Sequence, residues 1–149
     1  MSFMIANMAA HIFILLALLS VASTASAQSA GTKPIYSIDF KPDEKTKTVE
    51  GVVSPTYTTG PDMTNEGSER YFIRARAGQY LTVSVSSNDR QALFSLVKPS
   101  PGMSEYEIVE KAGGVRRWSG RLTKSGDYLV SVFTREKENS HFKLRVTLR

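Results

Sequence analysis

Phe142-Lys143-Leu144-Arg145-Val146-Thr147-Leu148-Arg149 alternates apolar and polar residues without a break. A period of two belongs to a β-strand with one buried face, because successive side chains leave the pleated backbone on opposite sides. Phe142, Leu144, Val146 and Leu148 then point inward, and Lys143, Arg145, Thr147 and Arg149 outward. Leu81-Thr82-Val83-Ser84-Val85-Ser86 repeats the pattern with hydroxyls as the polar partners. The same reading turns Tyr71, Ile73 and Ala75 inward, with Tyr128, Val130 and Val132, with Ala92, Phe94 and Leu96, and with Trp118 and Leu122.

Turn-forming residues separate these runs: Ala77-Gly78, Ser87-Asn88-Asp89, Pro99-Ser100-Pro101-Gly102, Gly113-Gly114 and Ser125-Gly126-Asp127. Beyond residue 27 no segment keeps a helical apolar period for more than two turns. Short alternating strands with such punctuation predict an all-β, antiparallel, jelly-roll-like sandwich of about eight strands. Trp118 and Tyr128 are expected to pack between its two sheets.

Residues 1–27 differ in kind. They contain no Asp, Glu, Lys or Arg, and they carry the apolar run Ile12-Phe13-Ile14-Leu15-Leu16-Ala17-Leu18-Leu19. The run is shorter than the roughly 20 residues that span a bilayer. It ends in Ala25-Ser26-Ala27, the small-x-small pattern of a cleavage site. Residues 1–27 are therefore predicted to be a signal peptide cleaved before Gln28, leaving no membrane span. Residues 28–47 read as a polar lead broken by Ile35-Tyr36-Ser37-Ile38-Asp39-Phe40, and 48–149 as one sandwich domain. The destination is periplasmic or secreted. The chain has no Cys, so the fold rests on its core without disulfides.

The net charge of +5 falls wholly after Ala27. Such an excess keeps a small domain soluble, and it also favours anionic partners. Nucleic acid, cofactors and metals are not called for. The segment Asp62-Met63-Thr64-Asn65-Glu66-Gly67-Ser68-Glu69 places oxygens at alternating positions, yet Ile73 stands where a calcium loop needs its bidentate acid. Catalysis has little to work with: one His, His141, follows the signal sequence, and no Gly-x-Ser-x-Gly elbow exists. No spacing singles out a pair of carboxylates. A non-catalytic binding protein, with no partner copy required, is the expectation.

Two sets of residues are candidates for binding. Arg74, Arg76, Arg117, Arg121, Lys143 and Arg145 all point outward on strands, and would make one basic face if those strands shared a sheet. Tyr57 lies in the long stretch Ser54–Glu69, and Arg135 in the charged stretch Phe133–His141. Lys98–Tyr106 is a further long loop, and loops held by a rigid scaffold often carry binding residues.

Tyr71-Phe72-Ile73-Arg74-Ala75-Arg76-Ala77-Gly78-Gln79-Tyr80-Leu81-Thr82-Val83 resembles the bacterial pre-peptidase C-terminal domain family, whose mark is an aromatic strand, Ala-Gly-Gln and a Leu-x-Val strand. Trp118-Ser119-Gly120-Arg121-Leu122 followed by Ser125-Gly126-Asp127-Tyr128 is similar to its second mark. The resemblance runs from about Thr48 to Leu148. It implies structural roles for Gly78, Trp118, Gly120, Gly126 and Tyr128. Free-standing exported domains of this kind resemble periplasmic inhibitors of goose-type lysozyme, which implies a protein partner met by loop side chains. The alternative is an envelope carbohydrate- or anion-binding module that uses the basic sheet face.

Overall fold

The computed structural model describes residues 33–55, 67–98 and 107–149. It contains eight strands: β1 (Ile35–Ser37), β2 (Thr46–Val53), β3 (Glu69–Ala75), β4 (Tyr80–Ser87), β5 (Ala92–Val97), β6 (Arg117–Arg121), β7 (Gly126–Thr134) and β8 (Ser140–Leu148). They form two four-stranded sheets, ordered β1-β3-β7-β5 and β2-β8-β4-β6. The protein is an all-β sandwich. Every connection crosses from one sheet to the other, so no two consecutive strands are paired. All pairs are antiparallel except β1 with β3, which is parallel. Ordered structure therefore begins ahead of residue 48, because Ile35–Ser37 is an edge strand and β2 starts at Thr46.

The alternation read from the sequence sets the two faces of each sheet. Tyr71, Ile73, Leu81, Val83, Val85, Phe94, Leu96, Tyr128, Val130, Val132, Phe142, Leu144 and Val146 are buried and form one cluster between the sheets. Burial of these side chains is the main favourable term, at roughly 1.5–3 kcal/mol each. Gly51 on β2 faces Phe142 on β8, and a Cβ at Gly51 would fall 2.7 Å from the phenyl ring. The missing side chain is what lets that ring lie flat against its neighbour strand.

Trp118 departs from the expectation. It faces inward but sits on β6, an edge strand, and is only partly buried. Its Nε1 donates to the carbonyl of Glu110 at 3.1 Å, on the segment joining β5 to β6. That segment also shields the open edge of β5: Phe94 and Val115 exchange both backbone hydrogen bonds, and Leu96 does so with Val109 and Ala112. Covering an edge in this way leaves no free ladder for another chain to extend.

Candidate binding surface

The residues that carry the family resemblance meet at one end of the sandwich. Arg76-Ala77-Gly78-Gln79 joins β3 to β4, with Gly78 at a φ of 90° that only glycine adopts without strain. The amide of Gly78 donates to the Leu122 carbonyl at 2.8 Å, and the Leu122 amide to the Gln79 carbonyl at 2.8 Å. The Gln79 side chain accepts from the Arg76 amide at 2.7 Å, and Ser125 Oγ from the Ala77 amide at 2.9 Å. Tyr128, fully enclosed, donates its hydroxyl proton to the Lys124 carbonyl at 2.9 Å and accepts from the Lys124 amide at 3.2 Å. Gly120 completes the set: a Cβ there would fall 2.6 Å from the Trp118 ring, so the indole lies over it. The Gly78 amide and the Tyr128 hydroxyl thus tie the β3–β4 turn and the β6–β7 connection to their surroundings.

The basic residues do not share one face. Arg74 and Arg76 belong to β3 and the turn after it, in the first sheet, whereas Arg117, Arg121, Lys143 and Arg145 belong to β6 and β8 in the second. Arg74 is held by Asp127 through two bonds of 2.8 Å, and this pairing keeps the Asp127 carboxyl below its usual range. Lys143 pairs with Glu50 at 2.7 Å, which raises the lysine above its ordinary value. Arg117, Arg121 and Arg145 are exposed, with no carboxylate partner among the described residues. The split follows from strict alternation between sheets, which adjacent strand patterns in a sequence do not reveal.

At the opposite end, three connections come together. Ser54 donates to the Gly67 carbonyl at 3.0 Å and closes the stems of the β2–β3 connection; residues 56–66, with Tyr57 and most of the acidic stretch from Asp62, lie outside the described residues. The β4–β5 turn holds Asp89, whose carboxylate accepts from the Gln91 amide at 2.9 Å and from Ser140 Oγ at 2.8 Å. The Gln91 amide, followed by the Ser87 and Ser140 hydroxyls, lowers the Asp89 pKa. Arg90 follows in the left-handed region, at a φ of 60°. Its carbonyl accepts from the Arg116 guanidinium.

Arg135 begins the β7–β8 loop and rests on the turn at Gly114, where a Cβ would fall 2.8 Å from Arg135 Nη2. Arg90, Arg116 and Arg135 therefore gather at this end, again without a carboxylate partner among the described residues. Arg135 is among the candidates read from the sequence, and Arg90 and Arg116 are not. Their signal was an arginine directly beside a turn, at Asn88-Asp89-Arg90 and Gly113-Gly114-Val115-Arg116.

A groove of about 550 Å³ runs along edge strand β6, lined by Trp118, Arg117, Arg121, Lys98, Lys111 and Val109 among others. His141, the only histidine after residue 27, is exposed on the outer side of β8, beside a smaller hollow of about 390 Å³ that also touches Glu50 and Lys143. Among the described residues no three His, Asp or Glu side chains gather as metal ligands would. Nor is any helix there long and apolar enough to cross a membrane.

No protein-family model and no curated protein matches this chain. Solved structures do. The periplasmic inhibitor of g-type lysozyme from Aeromonas hydrophila superposes with a TM-score of 0.57 at 23% identity, covering 77% of this chain and 96% of the inhibitor. Its counterpart from Salmonella Typhimurium gives 0.54 at 18% identity, covering 79% and 100%. The pre-peptidase C-terminal domain of a Bacillus anthracis collagenase gives 0.53 at 14% identity, covering 77% and 96%. The chain shares the sandwich fold of both groups.

Proposed function

We propose that this chain is an exported, non-catalytic binding protein that inhibits a g-type lysozyme. What carries the reading is that the likeness takes in nearly the whole of two periplasmic inhibitors of that enzyme class.

The arginine-bearing end is the surface assigned to the enzyme. Glycosidic bond cleavage generally depends on carboxyl groups beside the scissile bond, so a lysozyme cleft presents acids to whatever enters it. A guanidinium suits that target, since its planar fork pairs with a carboxylate through two parallel hydrogen bonds. Arg90 and Arg135 project from connections braced by Asp89, Ser140 and Gly114. Bracing of this kind reduces the entropy lost on binding.

The test is inhibition of goose-type lysozyme by the purified chain beginning at Gln28. Stoichiometric loss of lytic activity is expected, weakened about thirtyfold or more in an Arg90→Ala, Arg135→Ala variant if these are the central contacts. Full lysozyme activity in the presence of excess protein refutes the proposal. Export is checked separately, by an amino terminus at Gln28 in protein recovered from the periplasm.

A further inference from the structure

The outer side of the second sheet is a flat polar surface with a definite order. Strand register places Ser119, Thr82, Thr147 and Thr46 directly opposite one another, in a hydroxyl row that crosses all four strands. Ser119 Oγ donates to Thr82 Oγ1 at 3.0 Å, and the Thr46 and Thr147 hydroxyls lie 3.0 Å apart. One row away, toward the arginine-bearing end, stand Arg117, Ser84, Arg145 and Thr48. On the other side of the hydroxyls come Arg121 and Tyr80, a residue 48% exposed.

We propose that this face binds a linear polysaccharide bearing carboxylate groups. Arg117, Arg121 and Arg145 supply uncompensated positive charge, and their separations set the class of ligand. Arg117 and Arg145 are two strands apart, about 10 Å, and Arg117 and Arg121 are four residues apart, about 14 Å. A polyphosphate presents closely spaced charge and few hydroxyls, and would leave the row between the arginines without partners. A polyuronate offers a carboxylate on each acidic sugar, with neutral hydroxyls in between that can exchange hydrogen bonds with Ser119, Thr82 and Thr147. Tyr80 gives a sugar ring an apolar face to stack on at the border of the row.

The opposite outer face provides the contrast. There Arg74 is already bound to Asp127, and Phe72, Leu129 and Val97 lie in one row across the strands. The only opposed hydroxyls on its described strands are Ser95 and Ser131, and Arg70 beside them is half-buried and bound to the Lys33 carbonyl, so that face has no hydroxyl row across all four strands with exposed arginines on both sides.

The experiment measures binding of the full chain beginning at Gln28 to polygalacturonate, by calorimetry at low and at high salt. Binding at low salt that weakens steeply as salt rises is expected, since exposed charges are screened beyond about 8 Å at physiological ionic strength. Replacing Arg117, Arg121 and Arg145 together with Gln should weaken it by more than about tenfold. Thr82→Val with Thr147→Val should weaken it severalfold, and Arg74→Gln should leave it unchanged. Melting curves confirm that each variant folds, and all three arginines are exposed. Absence of binding at low salt overturns the proposal, as does binding that survives the triple substitution. Equal affinity for neutral dextran, or tighter binding of polyphosphate with the same dependence on the arginines, overturns it as well.

Discussion

Where Ala77, Gly78, Leu122 and Lys124 meet, the backbone amides and carbonyls of two turns are satisfied by one another, by Ser125 and by the Tyr128 hydroxyl. At the far end of the same strands, Arg90, Arg116 and Arg135 extend charge that no described carboxylate answers. One end satisfies its polar groups internally, while the other leaves three guanidinium groups without a carboxylate among the described residues. The recognisable motifs lie at the self-satisfied end, because closing two turns on each other demands particular residues. The guanidinium groups at the other end have no carboxylate partner among the described residues to fix their positions, so they leave no set pattern in a single sequence.

Substitutions should separate the two ends. Tyr128→Ala removes a fully enclosed ring and both of its hydrogen bonds, and should destabilise by about 3–5 kcal/mol in denaturant unfolding. Lysozyme inhibition by the fraction still folded should be unchanged. Trp118→Ala should cost less, about 2 kcal/mol, because the indole is only partly buried against the core. A loss as large as that of Tyr128→Ala would mean that the β5–β6 segment encloses the ring more tightly than its partial exposure indicates.

Tyr128→Phe keeps the ring but strands the Lys124 amide and carbonyl, and should cost about 1–2 kcal/mol. No change in midpoint would show that water replaces the hydroxyl and that this end is less self-contained than its bonds suggest.

A fourth outcome concerns pH. Burial, aided by Glu69 and Tyr36, pushes the Tyr71 hydroxyl from an ordinary value near 10 up to about 12. Between these values the unfolded chain has released the proton and the folded chain has not. Stability should therefore fall as pH rises through that window. Tyr71→Phe should flatten the decline, read as melting midpoint against pH; an unaltered slope would assign the alkaline loss to other groups. The smallest expected effect on stability is that of Arg135→Ala, within about 0.5 kcal/mol, since the side chain is exposed. The same variant should show the clearest loss of inhibition among single substitutions tested. A marked drop in melting midpoint would make its contact with Gly114 structural and weaken the contrast between the ends.

The sequence by itself determined most of the strands from β3 onward and their buried faces, but not β1 or β2. Phe142, Leu144 and Val146, or Tyr128, Val130 and Val132, announce an inward face through a period of two, which is a property of neighbouring residues alone. It also marked Gly78 and Gly126 as turn positions, because positive φ is a local requirement. The tertiary structure alone decided which strands pair. Since each connection crosses between sheets, Arg74 on β3 and Arg145 on β8 end on different faces, although their strands read alike. It placed Trp118 at an edge, where an inward direction does not bring full burial. It also drew Arg90, Arg116 and Arg135 to one end and aligned Ser119, Thr82, Thr147 and Thr46 in one row. The physical reason is common to all of these: pairing and proximity join residues far apart in the chain, and a local pattern carries no record of its distant partner.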